Sequence, residues 1–194
     1  MKLFLIRHGQ SEANLGMRYT GQFDVPMTSL GREQAVALRP ILEPITFDRV
    51  YSSDLSRAVD TCSLALPNME IEKTPLLREV DVGTLLGKLY SEVRKFQPDD
   101  PTMRPDFTPF GGENLAMVSA RAREFLTILE KSNHSCVAAF SHRGFMVAML
   151  NQVLGTRIDR GAIQLDNCAV IVLEYDGRQW YLASVNYMKP IAGV

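Results

Sequence analysis

The chain contains only three histidines, and two of them stand directly after short apolar runs with an arginine and a glycine alongside: Arg7-His8-Gly9 and Ser141-His142-Arg143-Gly144. A buried strand that ends abruptly in polar side chains delivers them to the carboxyl edge of a sheet, where open α/β sheets place their ligands. An imidazole has a reference pKa of about 6.5, so near neutral pH it is a competent nucleophile. Arg7 and Arg57 can each present a planar fork of donors to the oxygens of a phosphoryl group. Phosphoryl transfer is catalysed mainly by positioning and by neutralising charge on the equatorial oxygens, and these residue types suit that task. The third histidine, His134, follows Asn133 and reads as a loop residue.

Other chemistries find little support. No His-Glu-x-x-His, calcium-loop or paired-cysteine pattern occurs, so neither a metal site nor a cofactor is expected. Gly83-Thr84-Leu85-Leu86-Gly87-Lys88 has the outline of a phosphate-binding loop, but it is one residue short between its glycines and has Leu89 where Ser or Thr would hold magnesium. Lys and Arg number 21 against 22 Asp and Glu, a net charge of −1 that offers no broad attraction to nucleic acid or an anionic membrane. Apolar runs such as Cys136–Phe140 fall far short of the roughly 20 residues a membrane span requires. Cys62, Cys136 and Cys168 are odd in number, widely spaced and set among apolar neighbours, the pattern of buried thiols in a reducing compartment. MKLFLIRHGQ reads as a first strand, and a cytoplasmic location is expected.

The elements that must carry the two histidines follow from periodicity. With 194 residues, 46% of them hydrophobic, a single domain spanning 1–194 is expected, burying roughly 70% of its unfolded surface. Lys2 to Ile6 is a β-prone run; Thr28 or Ser29 can cap a helix with Ala35, Leu38, Ile41 and Leu42 at helical spacing before Pro44. Arg49 to Tyr51 is extended, Ser52-Ser53-Asp54 offers turn and N-cap residues, and a helix from about Leu55 to Pro67 puts Arg57 in its first turn. Glu70 to Lys73 reads as a strand, and Leu77-Arg78-Glu79 opens a loop. Gln97 to Gly112 is rich in Pro, Gly and Asp and reads as a lid over one end of the sheet. Leu115, Val118, Ala122, Phe125, Leu126 and Leu129 make a helical stripe, followed by a strand from Val137 to Phe140 and a helix from about Phe145 to Leu154. Two final strands, Ala169 to Tyr175 and Trp180 to Val185, flank an Asp176-Gly177 turn. The expected fold is α/β: a three-layer αβα sandwich with a mostly parallel central sheet and a small cap insertion at about 88–113.

Arg7-His8-Gly9-Gln10-Ser11-Glu12-Ala13-Asn14 resembles the Arg-His-Gly signature of the histidine phosphatase superfamily, which includes the cofactor-dependent phosphoglycerate mutases. Further segments are similar in the same order: Gly21 to Thr28 with Gly31 and Gln34-Ala35, Ser53 to Ala58, Leu77-Arg78-Glu79 with Gly83 and Gly87, Gly111 to Asn114, and Ser141-His142. The resemblance implies that His8 attacks phosphorus to form a phosphohistidine, that Arg7, Arg57 and His142 hold the phosphate, and that Glu79 protonates the leaving group and later deprotonates the attacking water. Asp81, two residues on, is the weaker alternative to Glu79. Asn14, Ser11 and Gln22 occupy family positions near the substrate, and Arg143, Arg94, Lys95 and Arg104 are candidates for reading the rest of it.

Two departures bear on substrate identity. Leu85-Leu86-Gly87 stands where many family phosphatases carry Trp-Glu-Gly, and Arg143 follows His142 where glycine is common. Three functions share such a pocket: a metal-independent phosphomonoesterase acting on a small phosphorylated metabolite, a phosphoglycerate mutase, and a module that only binds phosphorylated ligands. Mutases of the family carry basic cap insertions, whereas Lys88 to Glu113 holds four Lys or Arg and five Asp or Glu. That balance favours the phosphatase. The helix surfaces and the terminal hairpin could support a monomer or a homodimer.

Overall fold

Alternating side chains on the first strand choose the layers. In β1 (Lys2–Arg7), Leu3 and Leu5 face one side and Phe4 and Ile6 the other, so both faces need helical cover. The computed structural model describes residues 1–93, 106–156, 158 and 163–186. After β1 come α1 (Glu12–Leu15), α2 (Ser29–Ala37), α3 (Arg39–Leu42), β2 (Arg49–Ser53), α4 (Ser56–Ala65) and β3 (Glu72–Thr74). The chain continues through α5 (Tyr90–Val93), α6 (Leu115–Glu130), β4 (Cys136–Ser141) and α7 (Arg143–Leu154) to the hairpin of β5 (Val170–Tyr175) and β6 (Trp180–Val185).

These strands form one sheet in the order β3-β2-β4-β1-β5-β6, the first four parallel and the last two antiparallel. Helices α6 and α7 cover the Leu3 and Leu5 face, where Phe125, Leu129 and Phe145 to Leu150 are buried against Tyr51, Val137 and Ala139. On the other face Leu38, Leu42, Cys62 and Ala65 pack against Phe4, Ile6, Val50 and Phe140. The result is the expected three-layer αβα sandwich. Among the described residues, no helix is long and apolar enough to cross a membrane.

Two elements differ from expectation. The helix read continuously toward Pro44 is broken at Leu38, because Pro40 lies inside it and has no N–H to donate to the preceding turn. Ser52 and Ser53 are strand rather than turn, and α4 begins after Leu55, which makes no side-chain cap. Its cap comes from elsewhere: the Asp24 carboxylate accepts from the Ser56 N–H (2.9 Å) and hydroxyl (2.8 Å). Part of the expected lid, residues 94–105, lies outside the described residues. At its base, Val82, Leu85, Val93 and Phe107 form a small separate cluster, and Tyr19 packs edge-on against Tyr90 with ring centroids 4.7 Å apart.

Register brings four strand ends level. Arg7 is paired with Ser141, Ser52 with Phe140, and Ser53 with Thr74. The loops that leave β1, β2, β3 and β4 therefore open on the same edge, and they carry His8, Arg57, Glu79 and His142.

Candidate active site

His8 sits in the first of these loops and is 4% exposed. Its Nδ1 lies 2.6 Å from the Gly9 carbonyl oxygen. A carbonyl only accepts, so Nδ1 carries the proton and Nε2 is left with its lone pair. The loop backbone is held at each step: the His8 N–H donates to Ser141 O (3.0 Å), and the Gly9 N–H donates to Thr61 Oγ1 (2.9 Å). A Cβ on Gly9 would come within 2.3 Å of the Gly31 carbonyl oxygen, so this approach of the loop to α2 requires glycine.

Arg57 lies in the first turn of α4 and is 1% exposed. Its Nη1 donates to Phe23 O (3.0 Å) and Nη2 to Gly21 O (2.9 Å), which aims the guanidinium without an acidic partner in contact. Burial lowers its pKa; the charges of Glu79, Asp24 and Tyr90 act the other way. Arg7 is anchored through Nη1 to Leu165 O at 2.7 Å.

His142 is fully buried, with its ring 5.0 Å from that of His8. Its Nε2 is 2.9 Å from Ser53 Oγ, and its Nδ1 has no hydrogen-bond partner. Burial pushes the pKa of both histidines well below the usual imidazole value. The cation of Arg57 adds to this at each, followed by Arg7 at His8, and by His8, Arg7 and Arg121 at His142. The Gly9 carbonyl works in the opposite direction on His8. In the empty site both rings are neutral, surrounded by cations that a bound anion would satisfy.

Glu79 reaches this group from the loop after β3. Its Oε1 accepts from the Val80 N–H (2.9 Å) and its Oε2 from the Gly144 N–H (3.2 Å) at the start of α7. The positive end of a helix thus faces the carboxylate. Asp81 instead accepts from the Gly83 N–H at 2.9 Å and braces its own turn. Glu79, not Asp81, is the carboxylate felt by Arg57.

The remaining expected residues divide. Asn14 Oδ1 accepts from the Ser11 N–H and hydroxyl (both 3.1 Å) and from Asn167 Nδ2 (3.2 Å), leaving its own amide protons uncommitted. Asn167 also donates to the His8 carbonyl at 3.0 Å, tying Asn14 to the histidine loop. Ser11 caps α1 and is 1% exposed. Gln22 donates to Glu79 O (3.2 Å) and Glu113 Oε2 (3.4 Å) and accepts from Arg78 (3.3 Å), so it lies behind the acid loop. Arg143 opens α7 beside His142, while Arg94, Lys95 and Arg104 lie outside the described residues. Among the described residues, no three His, Cys, Asp or Glu side chains cluster as a metal would need.

Sequence reasoning missed Thr61, Ser53, Asn167 and the pair Glu113–Arg121. Only the last left a signal: residues eight apart at the start of a helix share one face two turns apart.

An α/β sandwich with two histidines and two arginines meeting at the carboxyl edge of its parallel strands defines an anion-receiving enzyme scaffold. The family model of the histidine phosphatase superfamily (branch 1) matches residues 3–188. Phosphoserine phosphatase 1 of Hydrogenobacter thermophilus is 31% identical, over 96% of this chain and 92% of that protein. Glucosyl-3-phosphoglycerate phosphatase of Mycolicibacterium vanbaalenii is 33% identical, over 81% of this chain and 76% of that protein. The solved structure of a mycobacterial glucosyl-3-phosphoglycerate phosphatase with VO3 superposes with a TM-score of 0.83 at 28% identity, covering 95% of this chain and 98% of that one. The chain belongs to the histidine phosphatase superfamily, and it is a phosphomonoester hydrolase.

Proposed function

We propose that the protein cleaves a small phosphorylated metabolite through a phosphohistidine on His8. The observation that carries this reading is the 2.6 Å contact between His8 Nδ1 and the Gly9 carbonyl, which selects the tautomer with a free Nε2 lone pair. Nε2 attacks phosphorus and the ester P–O bond breaks. The ring gains a positive charge in that step, and the Gly9 carbonyl stabilises it through the Nδ1 proton. Glu79, protonated, gives its proton to the departing oxygen. In the second step Glu79 takes a proton from water, the water oxygen attacks phosphorus, and the P–N bond breaks to release phosphate.

Arg7 and Arg57 neutralise the equatorial oxygens in both steps. His142 binds the same group as an imidazolium: the dianion offsets the cations that keep its pKa low in the empty site. Asn14, with free amide protons held next to the histidine loop, donates to a phosphoryl or leaving-group oxygen. Arg143 reads the rest of the substrate, and the segment at about 88–113 serves as its cap. The names of the relatives, a phosphoserine phosphatase and a phosphatase of a glucosylated phosphoglycerate, support a small phosphorylated metabolite as the substrate class. Buried cysteines with raised pKa values are compatible with a cytoplasmic location.

Phosphate release from an aryl phosphate in excess chelator, for the native protein and His8→Ala, tests the reading. Release that survives chelation and is lost in the variant, with an acid-labile, base-stable phosphoenzyme trapped in the native protein, is the expected result. Equal release by both proteins would sink it.

A further inference from the structure

Arg121 has no part in the chemistry above, yet its guanidinium is fully committed around Glu79. A guanidinium has five N–H donors. Nε and Nη2 bind Glu113 side-on at 2.9 and 2.8 Å; Nη1 donates to Leu76 O (2.9 Å) and Arg78 O (3.0 Å), and Nη2 also donates to Glu79 O (3.3 Å). None is left for a substrate. Glu113 extends the grip past Glu79, since its Oε2 also accepts from the Asp81 N–H at 2.9 Å.

The loop needs this grip because it lacks one of its own. The carbonyls of Leu76, Arg78 and Glu79 accept no backbone hydrogen bond, so side chains alone set their positions. The pair that does so is mostly enclosed, at 18% and 12% exposure, and its fork geometry holds two planes together better than one contact could. Arg121 also lies over the Phe145 ring, 5.7 Å from its centroid, and Phe145 follows the residue whose N–H receives the Glu79 carboxylate. One side chain therefore braces both the backbone of the acid and the helix end on which its carboxylate rests.

We propose that the Glu113–Arg121 pair positions Glu79 for proton transfer; the proposal rests on the reading of Glu79 as acid and base. Neither residue touches the reacting atoms. Their loss removes catalysis that depends on a well-placed proton and leaves phosphate binding and attack by His8 in place.

The test follows the first turnover by rapid quench for benzyl phosphate, whose alkoxide needs a proton, and 2,4-dinitrophenyl phosphate, whose phenolate does not. Arg121→Lys keeps the charge and loses the fork; Glu113→Gln keeps the shape and loses the charge; Glu79→Gln is the reference. For both positioning variants, benzyl phosphate slows by about 10- to 100-fold, while dinitrophenolate release stays within about 3-fold and phosphoenzyme accumulates because water attack is slowed as well. Selective loss in Glu79→Gln alone, with the other two variants showing equal loss on both substrates or none, overturns the positioning role. If Glu79→Gln itself loses both substrates equally, the reading of Glu79 fails, and the proposal with it.

Discussion

Adding one methyl group to Gly144 should cost activity without costing the fold. Gly144 lies in the first turn of α7 with no left-handed backbone, so alanine is allowed there. Its Cβ would stand 2.2 Å from Glu79 Oε1 and 2.7 Å from Val80 Cγ2. Restoring ordinary contact requires the carboxylate to retreat by roughly 1 Å, given the usual separation of non-bonded atoms. The retreat also breaks the 3.2 Å hydrogen bond from the Gly144 N–H. A misplacement of that size costs about 100-fold in rate, or about 2.7 kcal/mol of barrier. On the stability side, alanine gains up to about 1 kcal/mol over glycine in a helix and overpacking costs about 1–3 kcal/mol. Glu79 is only partly buried and can move, so the net change is about 1 kcal/mol or less in either direction. Steady-state turnover of benzyl phosphate and the denaturant midpoint are the two assays. Native-like turnover at native-like stability would refute the placement of Glu79 against α7.

Thr61→Val should destabilise the chain by about 1–3 kcal/mol in a denaturant titration, because Thr61 Oγ1 accepts from the Gly9 N–H and donates to the Arg57 carbonyl (2.6 Å), and both are buried. Asp24→Ala removes the borrowed cap of α4 and should cost about 1 kcal/mol of stability, with weaker inorganic phosphate inhibition because Arg57 rides on that turn. The buried histidines set the sign of one pH effect. Their folded pKa values lie below 6.5, so between those values and 6.5 the unfolded chain holds more protons and stability falls as pH falls. Saturating sulfate, a dianion that does not titrate there, favours the imidazolium and should flatten the decline in unfolding free energy between pH 7 and 5. An unchanged slope would remove the histidines as its source.

Local patterns carried much of the fold. Strand alternation, a capping threonine at Thr28 and the helical stripe from Leu115 to Leu129 depend on residues two to four positions apart, and the structure repeats them closely. The exception, the break at Leu38, also had a local cause in Pro40. Glu79 was legible only through a resemblance, because a glutamate in a loop has no periodicity to distinguish it from a solvated one. Ser53 was misread as a turn residue: its local sequence favours turns, but pairing with β3 and β4 keeps it in the sheet.

By itself the sequence determined that His8 and His142 end buried strands, that Arg57 opens a helix, and that the chain alternates β and α elements. The tertiary structure alone decided that β2 lies next to β4, which sets Ser53 against His142, and that α6 runs behind the loop after β3, which sets Arg121 against the carbonyl of Glu79. Those partners stand 89 and 42 positions apart. Hydrogen bonds between such distant residues depend on strand order and on the packing of two layers, not on any local preference of the chain.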